Sequence, residues 1–64
     1  MTELKAPQTR VYHFPGGHVV RLENVTHFAA PGSTHRLKTA DGKYHIVNGG
    51  WLNIEIDTPA GWTL

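Results

Sequence analysis

Cysteine is absent from the 64-residue sequence. That excludes disulfide staples, thiolate zinc sites and a cysteine nucleophile together. A domain this short buries only about 60% of the surface its unfolded chain exposes. Such chains commonly gain margin from a staple, a metal or a second chain. Charge is scarce too: 17% of the residues are charged, against a usual share of about a quarter. The net charge of +1 falls short of the concentrated basic character of a dedicated nucleic-acid binder. Low charge favours buried or shared surfaces over a fully solvated one. No stretch approaches the roughly 18 apolar residues of a membrane helix. The opening residues, Met1 to Pro7, have no apolar core of a secretion signal. The expectation is a cytoplasmic protein without membrane contact.

A sustained 3.6-residue apolar period is also missing, so no helix is expected. What is present is punctuation at short intervals: Pro15-Gly16-Gly17, Glu23-Asn24, Pro31-Gly32-Ser33-Thr34, Asp41-Gly42 and Asn48-Gly49-Gly50. All are turn signals. Between them lie short runs rich in Val, Ile, Thr, Tyr and Phe, which predict an all-β fold. Six strands are expected, over 10–14, 18–22, 25–30, 35–40, 43–47 and 51–57. They form an antiparallel meander of five to six short strands, as an open sheet or a small barrel. Residues 1–8 read as a flexible arm, 9–57 as one β domain, and 58–64 as a tail docking on the domain or on a partner.

Register follows from matching apolar faces, because a slip of one residue turns every side chain over. A two-residue Asp41-Gly42 hairpin pairs Leu37 with Ile46, Lys38 with His45 and Thr39 with Tyr44. A three-residue Asn48-Gly49-Gly50 turn then places Leu52 opposite Ile46, Ile54 opposite Tyr44 and Glu55 opposite Lys43. Upstream, a Pro31–Thr34 loop places Phe28 opposite Leu37 and Thr26 opposite Thr39. The expected core row is Phe28, Leu37, Ile46 and Leu52, with Tyr44, Ile54 and Ile56 beside it. Tyr12, Val20 and Leu22 join from the first hairpin.

Candidate functional residues fall into three groups. Trp51 and Trp62 lie outside the expected central core, and tryptophan is enriched at interfaces. With Leu64 they are the candidate partner-binding residues. Arg36, Lys38, Lys43 and His45 share one face that can contact phosphate, and Tyr12, Phe14 and Tyr44 can supply base stacking; Arg36, Lys38, Lys43 and Tyr44 are the candidate nucleic-acid-binding residues. Glu55 and Asp57 fall on that face in the same register and offset much of its charge. Five histidines occur; His13 and His18 flank the first turn and are the candidate metal pair, though their spacing fits no zinc pattern. Solvated or half-buried strand histidines are the simpler reading. Ser33 is the only serine, two residues from His35 with no carboxylate nearby. That is too little for a catalytic triad. No glycine pattern has the spacing of a phosphate loop, so no catalytic residues and no cofactor are expected.

Phe14-Pro15-Gly16-Gly17, Val19 to Val25, and the Leu37-to-Val47 segment around Asp41-Gly42 together resemble the FlbD/SwrD-type small bacterial β modules, and more distantly the LytTR β domains. The resemblance implies fold class, not function; where those families turn to a helix, Trp51 to Asp57 continues as a strand pattern. The expected function is that of a bacterial or phage-like non-enzymatic β module acting through protein–protein contact. Its expected partners are itself, as a homo-oligomer, and an unidentified protein. Nucleic acid is the alternative partner, and a histidine-bound metal the second alternative.

Overall fold

The computed structural model describes residues 1–57. The tail, with Trp62 and Leu64, lies outside the described residues. The fold is all-β: strands β1 (Thr2–His13), β2 (Val19–Ala29), β3 (His35–Thr39), β4 (Tyr44–Val47) and β5 (Asn53–Asp57) form one antiparallel sheet in the order β4-β3-β2-β1-β5. Strands β1 to β4 are a meander. Strand β5 then returns beside β1, the move that closes a Greek key. The expected β4–β5 hairpin is therefore not formed. Residues 48–52 instead connect the two borders of the sheet, with Gly49 against Ser33 and Leu52 N–H donating to His13 O at 2.7 Å.

Two expected boundaries change. The segment read as an arm extends β1, pairing Thr2 with Phe28 and Glu3 with His27. Its polarity misled because the pairing is carried by backbone, and Pro7 sits in the irregularity between Glu3 and Gln8, where no ladder donor is needed. The second and third expected strands are one strand, β2. Glu23 and Asn24 do not turn the chain; they stand opposite the single residue Thr9 as a bulge. Asn24 takes the left-handed conformation there (φ 55°), which asparagine tolerates better than most residues. The bulge bends β2, and Asn24 O accepts from Ala40 N–H at 2.9 Å. The first turn is a short 3-10 segment, Pro15–Gly17, closed by Phe14 N–H donating to His18 O at 2.8 Å.

The Phe28–Leu37 pairing is present. A second bulge, at Thr26, makes Val25 rather than Thr26 the partner of Thr39. The β3–β4 register differs from the expected one by a single residue. Leu37 faces His45, and Arg36 faces Ile46. The loop is three residues long: Thr39 N–H donates to Lys43 O, Gly42 N–H donates to Thr39 O, and Gly42 has φ 87°. This is a turn followed by a glycine bulge, the other common short hairpin. It wins because Asp41 Oδ1 accepts from both the Thr39 hydroxyl and the Lys43 N–H.

The core consequently differs from the expected row. Tyr12, Leu22, Val25, Leu37 and Val47 are buried, with Leu4, Phe14, Phe28, Trp51 and Ile54 packed against them. Ile46 and Leu52 are 66% and 73% exposed, and Tyr44 is 66% exposed. Val20, too, is largely outside. The core face also carries Gln8, Arg10 and Thr39, all buried. Gly49 matters for closure: a Cβ there would lie 2.8 Å from Ser33 O, so the β4–β5 connection passes tightly against the β2–β3 loop.

Candidate interaction surface

Period-two alternation sorts the side chains of β3 and β4. Leu37, Thr39, His45 and Val47 point inward, while Arg36, Lys38, Tyr44 and Ile46 point outward. The outer face thus joins two cations to two exposed apolar side chains. Lys38 Nζ lies 5.4 Å from the centroid of the Tyr44 ring, a cation–π geometry. Of the candidate phosphate-contacting residues, Arg36, Lys38 and Tyr44 come together here. Lys43 sits at the adjoining turn, and His45 is inside, its Nε2 3.2 Å from the Thr39 hydroxyl. A shallow depression of about 250 Å³ borders the strand, lined by Met1, Arg36, Leu37, Tyr44, His45 and Ile46.

Glu55 and Asp57 do not share this face's edge, as the expected β4–β5 hairpin would require. Strand β5 lies at the opposite border of the sheet, with β3, β2 and β1 between. Asn53, Glu55 and Asp57 point outward there, and Ile54 and Ile56 inward, opposite Tyr12 and Arg10. The sheet therefore carries Arg36 and Lys38 near one border and Glu55 and Asp57 on the other, where His13 contacts Glu55 and Arg21 lines the same groove.

Among the described residues, β4 and β5 each have a neighbour on one side only. Thr39 N–H bonds to Lys43 O, and antiparallel ladders alternate. The main-chain groups of Lys43, His45 and Val47 therefore turn toward β3, and those of Tyr44 and Ile46 turn outward. Such an edge templates pairing unless charge, proline or a bulge blunts it. Strand β5 is blunted by Glu55 and Asp57. Strand β4 carries no charged residue, proline or bulge.

Inside, an aromatic cluster surrounds two polar groups. The Tyr12 hydroxyl and His35 Nδ1 share a hydrogen bond of 2.7 Å. The His35 ring meets Phe28 edge-on at 4.8 Å and lies 4.5 Å from the Trp51 ring, which also meets Tyr12 at 5.3 Å. Trp51, expected outside the central core, is thus packed against it. Arg10 is 4% exposed; its guanidinium lies 4.0 Å above Phe28 and its Nε donates to Gln8 Oε1 at 3.2 Å. Burial, followed by the Arg10 charge, pushes the His35 pKa below its ordinary value. Burial pushes Tyr12 up, with Arg10 opposing. Sequence reasoning missed Arg10 because a cation argues for solvent. The available signal was its place two residues from both Gln8 and Tyr12, on the same strand face.

Of the candidate metal pair His13 and His18, His13 Nε2 contacts the Glu55 carboxylate across β1 and β5. No three His, Asp or Glu side chains gather among the described residues. No helix among the described residues is long and apolar enough to cross a membrane. No family model, curated protein or solved structure matches the chain.

Proposed function

We propose that this chain is a small non-enzymatic β module that works by binding protein along its β4 border. The observation that carries the reading is the pair Tyr44 and Ile46, each 66% exposed, on a strand whose outward main-chain groups have no neighbour among the described residues. Main-chain pairing supplies affinity in this mode, and alternate side chains supply specificity. The test compares proteins retained by the full chain with those retained by Ile46→Lys, with Val19→Lys as an exposed apolar control elsewhere. Partners should be lost with Ile46→Lys and kept with Val19→Lys. Equal retention by both variants removes β4 from the account.

The second reading is contact with single-stranded nucleic acid through Arg36, Lys38, Lys43 and Tyr44. It is favoured by the removal of Glu55 and Asp57 to the far border. Three phosphate contacts predict a log–log salt slope of about −2 for a single strand. Binding that ignores salt, or survives Lys38→Ala unchanged, rules this reading out.

A further inference from the structure

The two borders of this sheet fit each other. We propose that the partner at β4 is the β5 border of a second copy of this chain, added head to tail. This deepens the reading of β4 as the binding edge and rests on it.

The argument starts with direction. Each strand is antiparallel to its neighbours in the order β4-β3-β2-β1-β5, so β4 and β5 run the same way at opposite borders. A copy translated along the sheet, with the same face inward, lays its β5 parallel to β4. Both edges have donors and acceptors to offer. On β4 they belong to Tyr44 and Ile46. On β5 they belong to Ile54 and Ile56, because Phe14 N–H bonds to His18 O and the alternation then turns Asn53, Glu55 and Asp57 toward β1.

The side chains agree on both faces. On the outer face, Arg36 and Lys38 of one copy stand two strands from Glu55 and Asp57 of the next. That is about 10 Å of backbone spacing, which long side chains close over Tyr44 and Ile46. On the inner face, His45 and Val47 meet half-buried Ile54 and Ile56, extending the apolar core. A two-fold β4-to-β4 contact would instead bring Arg36 and Lys38 of two copies together, and β5-to-β5 Glu55 and Asp57 of two copies. Charge complementarity therefore selects the head-to-tail arrangement. Such heterologous contacts repeat, giving a ring when the rotation closes and a filament when it does not.

The absence of cysteine makes the test clean. In the double variant Ile46→Cys with Glu55→Cys, mild oxidation should trap a ladder of dimers, trimers and larger species, and each single variant should stay monomeric on a denaturing gel. Light scattering on the unmodified chain should show mass rising with concentration. Lys38→Glu should weaken association roughly two- to fivefold, and adding Glu55→Lys should restore it. Dimers from Ile46→Cys alone, with no ladder from the double variant, overturn the head-to-tail arrangement and leave β4 as the binding edge. A chain that stays monomeric overturns self-assembly. Partner retention lost in Ile46→Lys would then still support the broader reading, and retention unaffected by it would end both.

Discussion

Leu37 and Ile46 are aliphatic residues of the same volume on adjacent strands of one hairpin, yet one is fully buried and the other 66% exposed. The difference is one residue of register. Leu37 faces His45, not Ile46, so the hairpin turns its apolar residues to both sides. Its inner face builds the domain, and its outer face is left for something else. A hairpin that put both residues inside would have a larger core and a less apolar outer face.

The widest separation between the two faces is expected from truncation. Leu37→Ala should cost about 2–5 kcal/mol through lost burial and an unfilled cavity. In a domain this small, that leaves a large unfolded fraction at room temperature. Ile46→Ala should stay within about 0.5 kcal/mol in dilute solution. Urea unfolding of both variants measures this directly. Equal losses would mean that Ile46 is inside after all. A loss for Ile46→Ala that grows with protein concentration would sharpen the comparison, because it assigns the outer face to assembly.

The next test lies within the inner face. Tyr12→Phe removes the hydroxyl shared with His35 Nδ1 and leaves a half-buried ring nitrogen without its partner, at a cost of about 1–2 kcal/mol. On the outer face, Tyr44→Phe should change stability by no more than a few tenths of a kcal/mol. If the two tyrosines respond alike in chemical denaturation, the hydrogen bond contributes nothing net.

Much of the architecture was legible in the residues. Turn punctuation and β-rich runs identify an antiparallel all-β sheet, and the pairing of Phe28 with Leu37 follows from loop length alone. What was not legible depends on single residues whose effect is geometric. Asn24 bulges a strand where its sequence signals a turn. Asp41 accepts two hydrogen bonds that tighten a three-residue loop, where Asp-Gly usually marks a two-residue one. The partner of β5 is a non-local choice between β4 and β1, and apolar alternation satisfies either. The outer face was readable only in part: Arg36, Lys38 and Tyr44 were candidates, but their company changed with register. Ile46 passed as a core residue, because hydrophobicity says that a residue is buried or shared without saying which.

Gly42 tests the turn that sets this register. Its φ of 87° suits glycine, and a Cβ there would meet nothing within 4 Å. Gly42→Ala should therefore cost about 1 kcal/mol by conformation alone, with the same hairpin retained. Backbone chemical shifts across Thr39 to Lys43 report the outcome. If Gly42→Ala instead moves Ile46 opposite Leu37, the register is set by this glycine rather than by Asp41.

The smallest expected effect separates the two faces by pH. His35, on the inner face, has its pKa lowered first by burial and then by Arg10. The groups around it are Tyr12, Phe28 and Trp51, with Arg10 as the charge, and none welcomes a second cation. As pH falls below the ordinary value of 6.5, the unfolded chain takes up a proton that the folded site resists. The unfolded state then holds more protons, so stability declines with falling pH, and this contribution levels off below the folded pKa. Asp41, at the exposed turn, behaves in the same sense but at lower pH. The Thr39 hydroxyl, then the Lys43 N–H, hold its carboxyl below the ordinary 3.8. Its contribution is present above 3.8 and is lost as pH falls through the folded value. Unfolding midpoints should thus drop in two separate windows, and His35→Gln should remove the upper one while leaving the lower. An upper step that survives His35→Gln would assign it to a histidine other than the one packed between Phe28 and Trp51.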